Sequence, residues 1–492
     1  MGPHGFRRTR FVPSQAVSQT DVPDVPPFPP PRSAPPRSAP PRSAPSRSAP
    51  SCCAPSRRAP PRSPPSRLPP HPSAPGAPMT PGAAAGPAAD GAAAPTGRAA
   101  QPGVIVAALV LTAALLGTAV RAGGLGMSAP VLLGAAAGWA LHGSGFGFAS
   151  AWRALARDRR GEGVRAQILL IGLISAVAFP LIAWGEALGL PARGVVLPMG
   201  VASAIGAAMF GAGMQLGGGC ASGTLYTVGG GSAKMGVTLG FFVAGSVLAT
   251  AHWEVWAALP ATRAGWSLVG GLGPLPAIAV MGAALAGAWA LVRAVERGGG
   301  APRPTPPETP PAALPAAPPE TPPFTRRLRW RPVTGALALA AVGIGCFALL
   351  GRPWGVTWGF ALWGAKAAQG LGIPAETWTY WQGWRAAALA RPALADATSV
   401  MNLGIVAGAL FSAGLAGRFA PTWRIPPRAL AGAAAGGLLM GYGARLAYGC
   451  NIGAFLGGLT SGSLHGLWWL AWAVAGTWAG LRLRRALRLD PA

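Results

Sequence analysis

FGAGMQLGGGCASGTLYTVGGGS, residues 210–232, and MGYGARLAYGCNIGAFLGGLTSG, residues 440–462, align at one constant offset. Gly211 falls on Gly441, Gly213 on Gly443, Gly219 on Gly449, Cys220 on Cys450 and Gly223 on Gly453. A match of this kind is an internal repeat at the scale of half the chain. Each copy follows an apolar segment, interrupts it with glycine, presents one thiol and resumes with apolar residues. The two thiols therefore belong at equivalent depths in two related half-domains, and the pair is the candidate site.

Composition sets the class around that pair. Of 492 residues, 51% are hydrophobic and 11% charged, too apolar for an ordinary soluble chain of this length. The pattern is that of an all-α polytopic membrane protein: two pseudo-symmetric halves with Gly-rich broken or re-entrant helices. The formal charge of +27 does not argue for nucleic acid. The basic residues fall in a tail and in short segments between apolar spans, so no nucleic-acid partner is expected. Lys234 and Lys366 are the two lysines, and arginine supplies the remaining positive charge.

In chain order, residues 1–102 form a Pro/Ser/Arg-rich tail with a five-residue repeat from Arg32. It has no apolar periodicity to bury, so disorder is expected, and Cys52 and Cys53 within it receive no role. The first transmembrane half, 103–297, has apolar stretches at 103–120, 128–151, 164–185, 195–217, 233–256 and 274–293, each near the ~20 residues that span a bilayer. Arg153, Arg157, Arg159, Arg160 and Arg165 fill one connection, and Arg293 and Arg297 follow the last stretch. An even number of crossings puts these clusters on the cytoplasmic side, in accord with the positive-inside rule.

Residues 298–331 read as a Pro-rich linker, 332–485 as the second transmembrane half and 486–492 as a C-terminal tail. Apolar stretches at 333–350, 353–372, 398–417, 428–448 and 463–481 are an odd number of crossings. That would leave Arg482, Arg484, Arg485 and Arg488 outside. Either one segment is re-entrant or the stretch around Trp378, Trp381 and Trp384 enters the membrane. Whether the halves are parallel or inverted stays open.

The chemistry follows from what the spans lack. Asp158, Glu162, Glu186, Glu254, Glu296, Glu376 and Asp396 lie in connections or near segment ends, so a carboxylate relay is not expected. Glycine at the density of Gly217 to Gly219 and Gly229 to Gly231 breaks a helix, and broken backbone at membrane depth is tolerated where it is buried or lines a cavity. A half-helix starting after each cysteine would aim free N–H groups at an anion. Candidate substrate-binding residues are Cys220, Gly219, Ser222, Gly223 and Thr224 in the first copy, and Arg445, Gly449, Cys450, Asn451 and Gly453 in the second. Arg445 has the neutral Gln215 as its repeat counterpart, which makes the expected site electropositive and asymmetric. A buried thiol stays neutral and offers a soft contact and a weak donor, so it can meet a sulfur-bearing anion without repelling it. Cys346 reads as a small core residue. His142, His252 and His465 are too scattered to suggest a metal or haem site, and neither metal nor cofactor is expected.

At these residues the chain resembles the YeeE/YedE family of sulfur-transport membrane proteins. The two cysteine stretches carry the resemblance, with LHGSGFGFASAWRAL from Leu141 and GRPWGVTWGFALWGAK from Gly351. It implies two pseudo-symmetric halves with half-entering helices, and import of thiosulfate relayed by S–H contacts to successive cysteines, here Cys220 and Cys450. It also implies a TusA-type sulfurtransferase as cytosolic partner, a lipid bilayer as setting and the bacterial inner membrane as location. The chain departs from the family where it reads SGFGFA, with Gly147 where many members carry cysteine, so another sulfur or selenium species stays open as substrate. A membrane thiol oxidoreductase using Cys220 and Cys450 is the rival from another class, although the chain has no C-x-x-C motif and the expectation is that it is not an enzyme. A scaffold or sensor without transport is the third.

Overall fold

The computed structural model describes residues 99–298, 330–421 and 423–489. The expected tail up to residue 98, with Cys52 and Cys53, lies outside the described residues, as do residues 299–329 of the expected linker and the last residues of the chain. The principal helices are α1 (Pro102–Gly123), α2 (Ser128–Ser144), α3 (Phe148–Asp158), α4 (Glu162–Trp184), α5 (Val201–Gly217), α6 (Ala221–Gly229), α7 (Ala233–Ala251) and α8 (Pro274–Arg297). Beyond the linker come α9 (Pro332–Leu350), α10 (Thr357–Gly370), α11 (Ala397–Leu415) and α12 (Pro427–Leu446). Then follow α13, which is π-wound over Asn451–Leu456 and α-helical over Gly457–Leu459, and α14 (His465–Ala486).

Among the described residues, eight helical runs are long and apolar enough to cross a membrane. The protein is an all-α polytopic membrane protein. α12 and α14 fall below that apolarity, yet their 20 and 22 residues reach across a bilayer. Glycine dilutes α12 and terminal arginines dilute α14, and α5 packs against both.

Helix ends sort onto two faces. On one, the start of α1 meets the end of α11, where the Gln101 N–H donates to the Gly414 carbonyl (2.9 Å). There too the start of α9 meets the end of α2 at Gly335 and Ser144, and Gly432 near the start of α12 meets Leu489 beyond α14. On the other face, the Arg193 N–H donates to the Gly351 carbonyl after α9 (2.8 Å), and the Leu268 N–H to the Gly462 carbonyl just before α14 (2.7 Å). α5 thus runs toward the first face and α12 away from it. They pack antiparallel, Gly206 beside Gly443 and Ala447, Gly213 beside Gly436 and Met440. The two copies are inverted, which answers the question that the repeat leaves open.

The odd crossing also resolves. The stretch 353–372 does not span: α10 has 14 residues, about 21 Å against a hydrocarbon core of about 30 Å. It begins after a break at 351–356, and the chain returns through the Trp-rich stretch to start α11 on the face where α9 ended. Trp381 in that stretch is fully buried, its Nε1–H donating to Thr250 Oγ1 (3.3 Å). The crossings left are α9, α11, α12 and α14. They bring the terminal arginines back to the face that carries Arg157, Arg159, Arg160, Arg293 and Arg297.

The halves interlock. α5 packs on α14, α7 on α12, α2 on α11 and α4 on α9, so each of these pairs joins the first half to the second. Small residues allow it, as at membrane helix interfaces generally. A Cβ at Gly211 would stand 2.1 Å from the Ala473 carbonyl oxygen, and one at Gly476 2.0 Å from that of Ala208. Not every glycine serves this packing. Gly287 in α8 faces open space, and Gly287→Ala is expected to leave thermal unfolding in detergent unchanged within about 1 kcal/mol.

Candidate functional site

The two cysteine segments fold alike because both use the same backbone device. α5 ends at Gly217, Gly218 takes a left-handed conformation (φ +93°), and Cys220 returns to extended backbone as the N-cap of α6. α12 ends at Leu446, Tyr448 is left-handed (φ +61°), and Cys450 is the N-cap of α13. Gly218 and Tyr448 occupy the same repeat position. A tyrosine there carries a strain that glycine avoids, of order 1 kcal/mol.

Each cysteine stands at the N-cap of a helix, and its carbonyl accepts the first helical hydrogen bonds. In the first copy the Cys220 carbonyl accepts both the Thr224 N–H (2.8 Å) and the Thr224 hydroxyl (2.9 Å). Thr224 therefore holds the break together instead of presenting its hydroxyl to a ligand. Ser222 Oγ lies 3.5 Å from Cys220 Sγ. In the second copy the Cys450 carbonyl accepts from Ala454 (2.9 Å) and Phe455 (3.3 Å), which is the π-winding. Windings of this kind recur at functional sites. Both cysteines are free and buried and share one core. Cys346 is buried in that core too, within α9.

The glycines leave room beside them. A Cβ at Gly223 would sit 3.4 Å from Cys220 Sγ, whereas one at Gly453 would meet nothing nearer than the Gly355 Cα at 4.0 Å. Gly449 cannot accept a side chain, because a Cβ there would be 2.8 Å from the Ala454 nitrogen. Gly219 packs near Met235, its Cβ position 3.3 Å from the methyl. The break at 353–356 closes over α13, with Pro353 and the Trp354 carbonyl beside Gly457.

Around this break the core holds polar atoms with no hydrogen-bond partner in the protein. They are both side-chain polar atoms of Asn451, Trp354 Nε1, Asn402 Oδ1 and Arg445 Nε. Asn402 and Asn451 are fully buried. Asn402 Nδ2 donates to the Val356 carbonyl (2.9 Å), which fixes its oxygen as the atom left over. Arg445 is held by the Tyr380 hydroxyl (2.9 Å) and Thr357 Oγ1 (3.0 Å), the latter at the first residue of α10.

Trp354 and Asn402 were not singled out from sequence. Their signal was weak: one tryptophan among many and one asparagine inside an apolar helix.

The expected asymmetry of charge is corrected. Gln215, the counterpart of Arg445, accepts on Oε1 from Arg153 Nε of α3 (3.0 Å), so the first copy also has its cation. A Cβ at Gly147 would stand 2.6 Å from Ser150 Oγ and 3.7 Å from the hydroxyl of Tyr226 of α6, so a side chain there needs Ser150 to move. Phe148, next along, meets Phe455 of α13 edge-on, and Phe455 stacks on Trp469 of α14. These rings wall the site on that side. A groove of about 670 Å³ lies beyond them, lined by apolar residues of α4, α8 and α14 such as Ile171, Leu285 and Leu470. Its lining suits hydrocarbon and not an anion.

Comparison with known proteins places these features in context. A family model described as sulphur transport matches residues 143–479, taking in both cysteine segments and the break at 351–356. The chain is 35% identical over 157 residues to the probable transporter YedE of Salmonella typhimurium and 34% identical over 157 residues to that of Escherichia coli. Each match covers 31% of this chain and 37% of the relative.

Proposed function

The chain belongs to the sulphur-transport family, and from that premise we propose that it carries a small sulfur-containing anion, most simply thiosulfate, across the membrane past Cys220 and Cys450. The observation that carries this reading is the set of orphaned polar atoms beside Cys450. A buried polar group without a partner costs about 1–3 kcal/mol, so an apolar core that holds several is built for a polar occupant. Trp354 Nε1, the Asn451 amide and Arg445 Nε supply donors for oxyanion oxygens. The N–H groups at the start of α13 and the thiols suit the softer sulfur end.

A dianion alone in hydrocarbon faces a cost of tens of kcal/mol, so these groups stand in for its hydration shell. They are few and mostly neutral, which keeps binding weak enough for release. On this reading the arginine-rich face is cytosolic, the membrane is a bacterial inner membrane, and a TusA-type sulfurtransferase is the receiving partner.

The test is uptake of sulfur-labelled thiosulfate by cells lacking their own sulfate and thiosulfate importers. The wild-type chain is expected to restore uptake, competed by unlabelled thiosulfate. A well-expressed chain that moves no label overturns the assignment of thiosulfate.

A second expectation follows from Asn451. Asn451→Leu removes both orphaned atoms and keeps the branching of the side chain. Uptake is expected to fall at least about tenfold while thermal stability holds or rises. Loss of stability together with full uptake would show that the amide serves the fold.

A further inference from the structure

We propose that the groove between α4, α8 and α14 is a site for an anionic phospholipid of the arginine-rich leaflet, with one acyl chain lying along the groove and the phosphate held at its mouth by Arg159 and Arg482. A lipid can sit there whatever the chain carries across the membrane.

The groove exists because α8 packs closely on α4 but not on α14. Between α8 and α14 about 670 Å³ stays open, lined by Leu285, Leu291 and Val292 on one side and by Leu467, Leu470 and Val474 on the other. Two polar residues of the lining are engaged within the protein. Gln167 Oε1 accepts from the Trp152 indole N–H (2.9 Å), and Ser463 Oγ lies 2.9 Å from His465 Nδ1. From Leu467 to Leu481 the groove follows α14 for about 21 Å, more than the half of a ~30 Å hydrocarbon core that one leaflet fills. An acyl chain from that leaflet is accommodated at full length.

Hydrocarbon alone gives no preference among lipids, because each brings similar chains. The preference comes from the mouth. α8 and α14 both end at the arginine-rich face, where Arg159, directly after α3, lines the groove and Arg482 lies over the ring of Trp478, another lining residue. Both arginines are exposed, and neither makes an ion pair among the described residues. Arg159 holds a left-handed conformation (φ +53°) that glycine takes at lower cost, so a charged side chain is kept at that rim where the backbone favours none. Glu296, the acid near the end of α8, is already engaged by Arg165. Two exposed guanidiniums above an apolar slot match a phosphodiester joined to a hydrocarbon chain, in charge and in order along the membrane normal.

A second copy of the chain fits less well. In one membrane its own arginine-rich face would come up beside this one, like charge against like. The lipid also has a place relative to the thiols. Phe455 of α13, stacked on Trp469, lines the groove, so a seated acyl chain packs behind the rings that wall the candidate site.

The test titrates full-length protein in detergent with dioleoyl phosphatidylglycerol and with dioleoyl phosphatidylcholine, and reads the lipid-bound fraction by native mass spectrometry. An arginine beside an anionic headgroup is worth about fivefold in binding. Wild type is expected to bind one phosphatidylglycerol about 25-fold more tightly than phosphatidylcholine. Arg159→Gln and Arg482→Gln are each expected to keep about a fivefold preference, and the double variant none. Ala288→Trp, which fills the groove from α8, is expected to lose the tightly bound phosphatidylglycerol while melting like wild type in lipid-free detergent. The exposed arginine variants carry the test even if that helix is disturbed.

Arg263→Gln, in the loop before α8 on the opposite face, is the control and is expected to change nothing. No preference in wild type, or a loss in Arg263→Gln as large as in Arg159→Gln, overturns the proposal. A preference that survives a folded Ala288→Trp overturns it too, since the lipid is then held outside the groove. So does a wild-type chain that binds no lipid because its own residues 299–329, or a second copy, fill the space.

Discussion

Cys450→Ala, and separately Cys220→Ala, is expected to lower thiosulfate uptake at least about 100-fold, a change worth about 2.7 kcal/mol in the barrier, with no loss of folded protein. The two halves of that expectation have different origins. Each side chain is essentially inaccessible, at 0% and 1% exposure, so removing a single sulfur leaves a small void. Its cost should be about 1 kcal/mol, within what a membrane fold of this size tolerates. The functional loss is larger because, on the proposed reading, the sulfur at the N-cap of α13 is the soft contact that the anion meets there. Alanine removes the contact that a sulfur anion would exchange as it moves between copies. Uptake and size-exclusion elution measured on the same preparations check both parts. Wild-type uptake by either variant sinks the relay.

Gly408→Val is expected to abolish folded protein altogether. A Cβ at Gly408 in α11 would lie 1.9 Å from the Ala135 carbonyl oxygen of α2. The clash is with backbone, so no rotamer change relieves it. The seam continues along both helices: a Cβ at Gly138 would be 2.0 Å from the Ile405 oxygen, at Gly134 2.3 Å from that of Met401, and at Gly404 2.6 Å from that of Val131. Prying α2 from α11 at one glycine loosens the close contacts at the others and parts the two halves. Overpacking typically costs about 1–3 kcal/mol, and a backbone clash along a whole seam should exceed the upper figure. The yield of monodisperse protein in detergent reads this directly, with Gly287→Ala as control. A Gly408→Val protein that elutes and melts like wild type would show that the seam is not needed for folding.

The repeat was legible because glycine and cysteine recur at matched positions. That recurrence located both breaks and put each thiol at the start of a short helix. Apolarity alone misread 353–372, since a run of that length looks the same whether it crosses or turns back. The information sat in Arg482, Arg484, Arg485 and Arg488, whose side of the membrane was wrong for an odd number of crossings. Inversion of the copies was hidden, because identical residues fit either direction and what separates them is which helix ends meet. The charge at Gln215 was hidden for a related reason. Arg153 lies far away in sequence on a different short helix, and such a partner can be found only once the chain is folded.

The antiparallel packing of α5 and α12 bears on thermodynamics. If an anion passes this way, it meets a cysteine at a helix start from either end, and a passive route of that kind can be travelled in both directions, its net flow set by the electrochemical gradient. Rectification then has to come from outside the twofold frame. On the proposed reading, a sink that consumes the anion on the arginine-rich side would draw it inward.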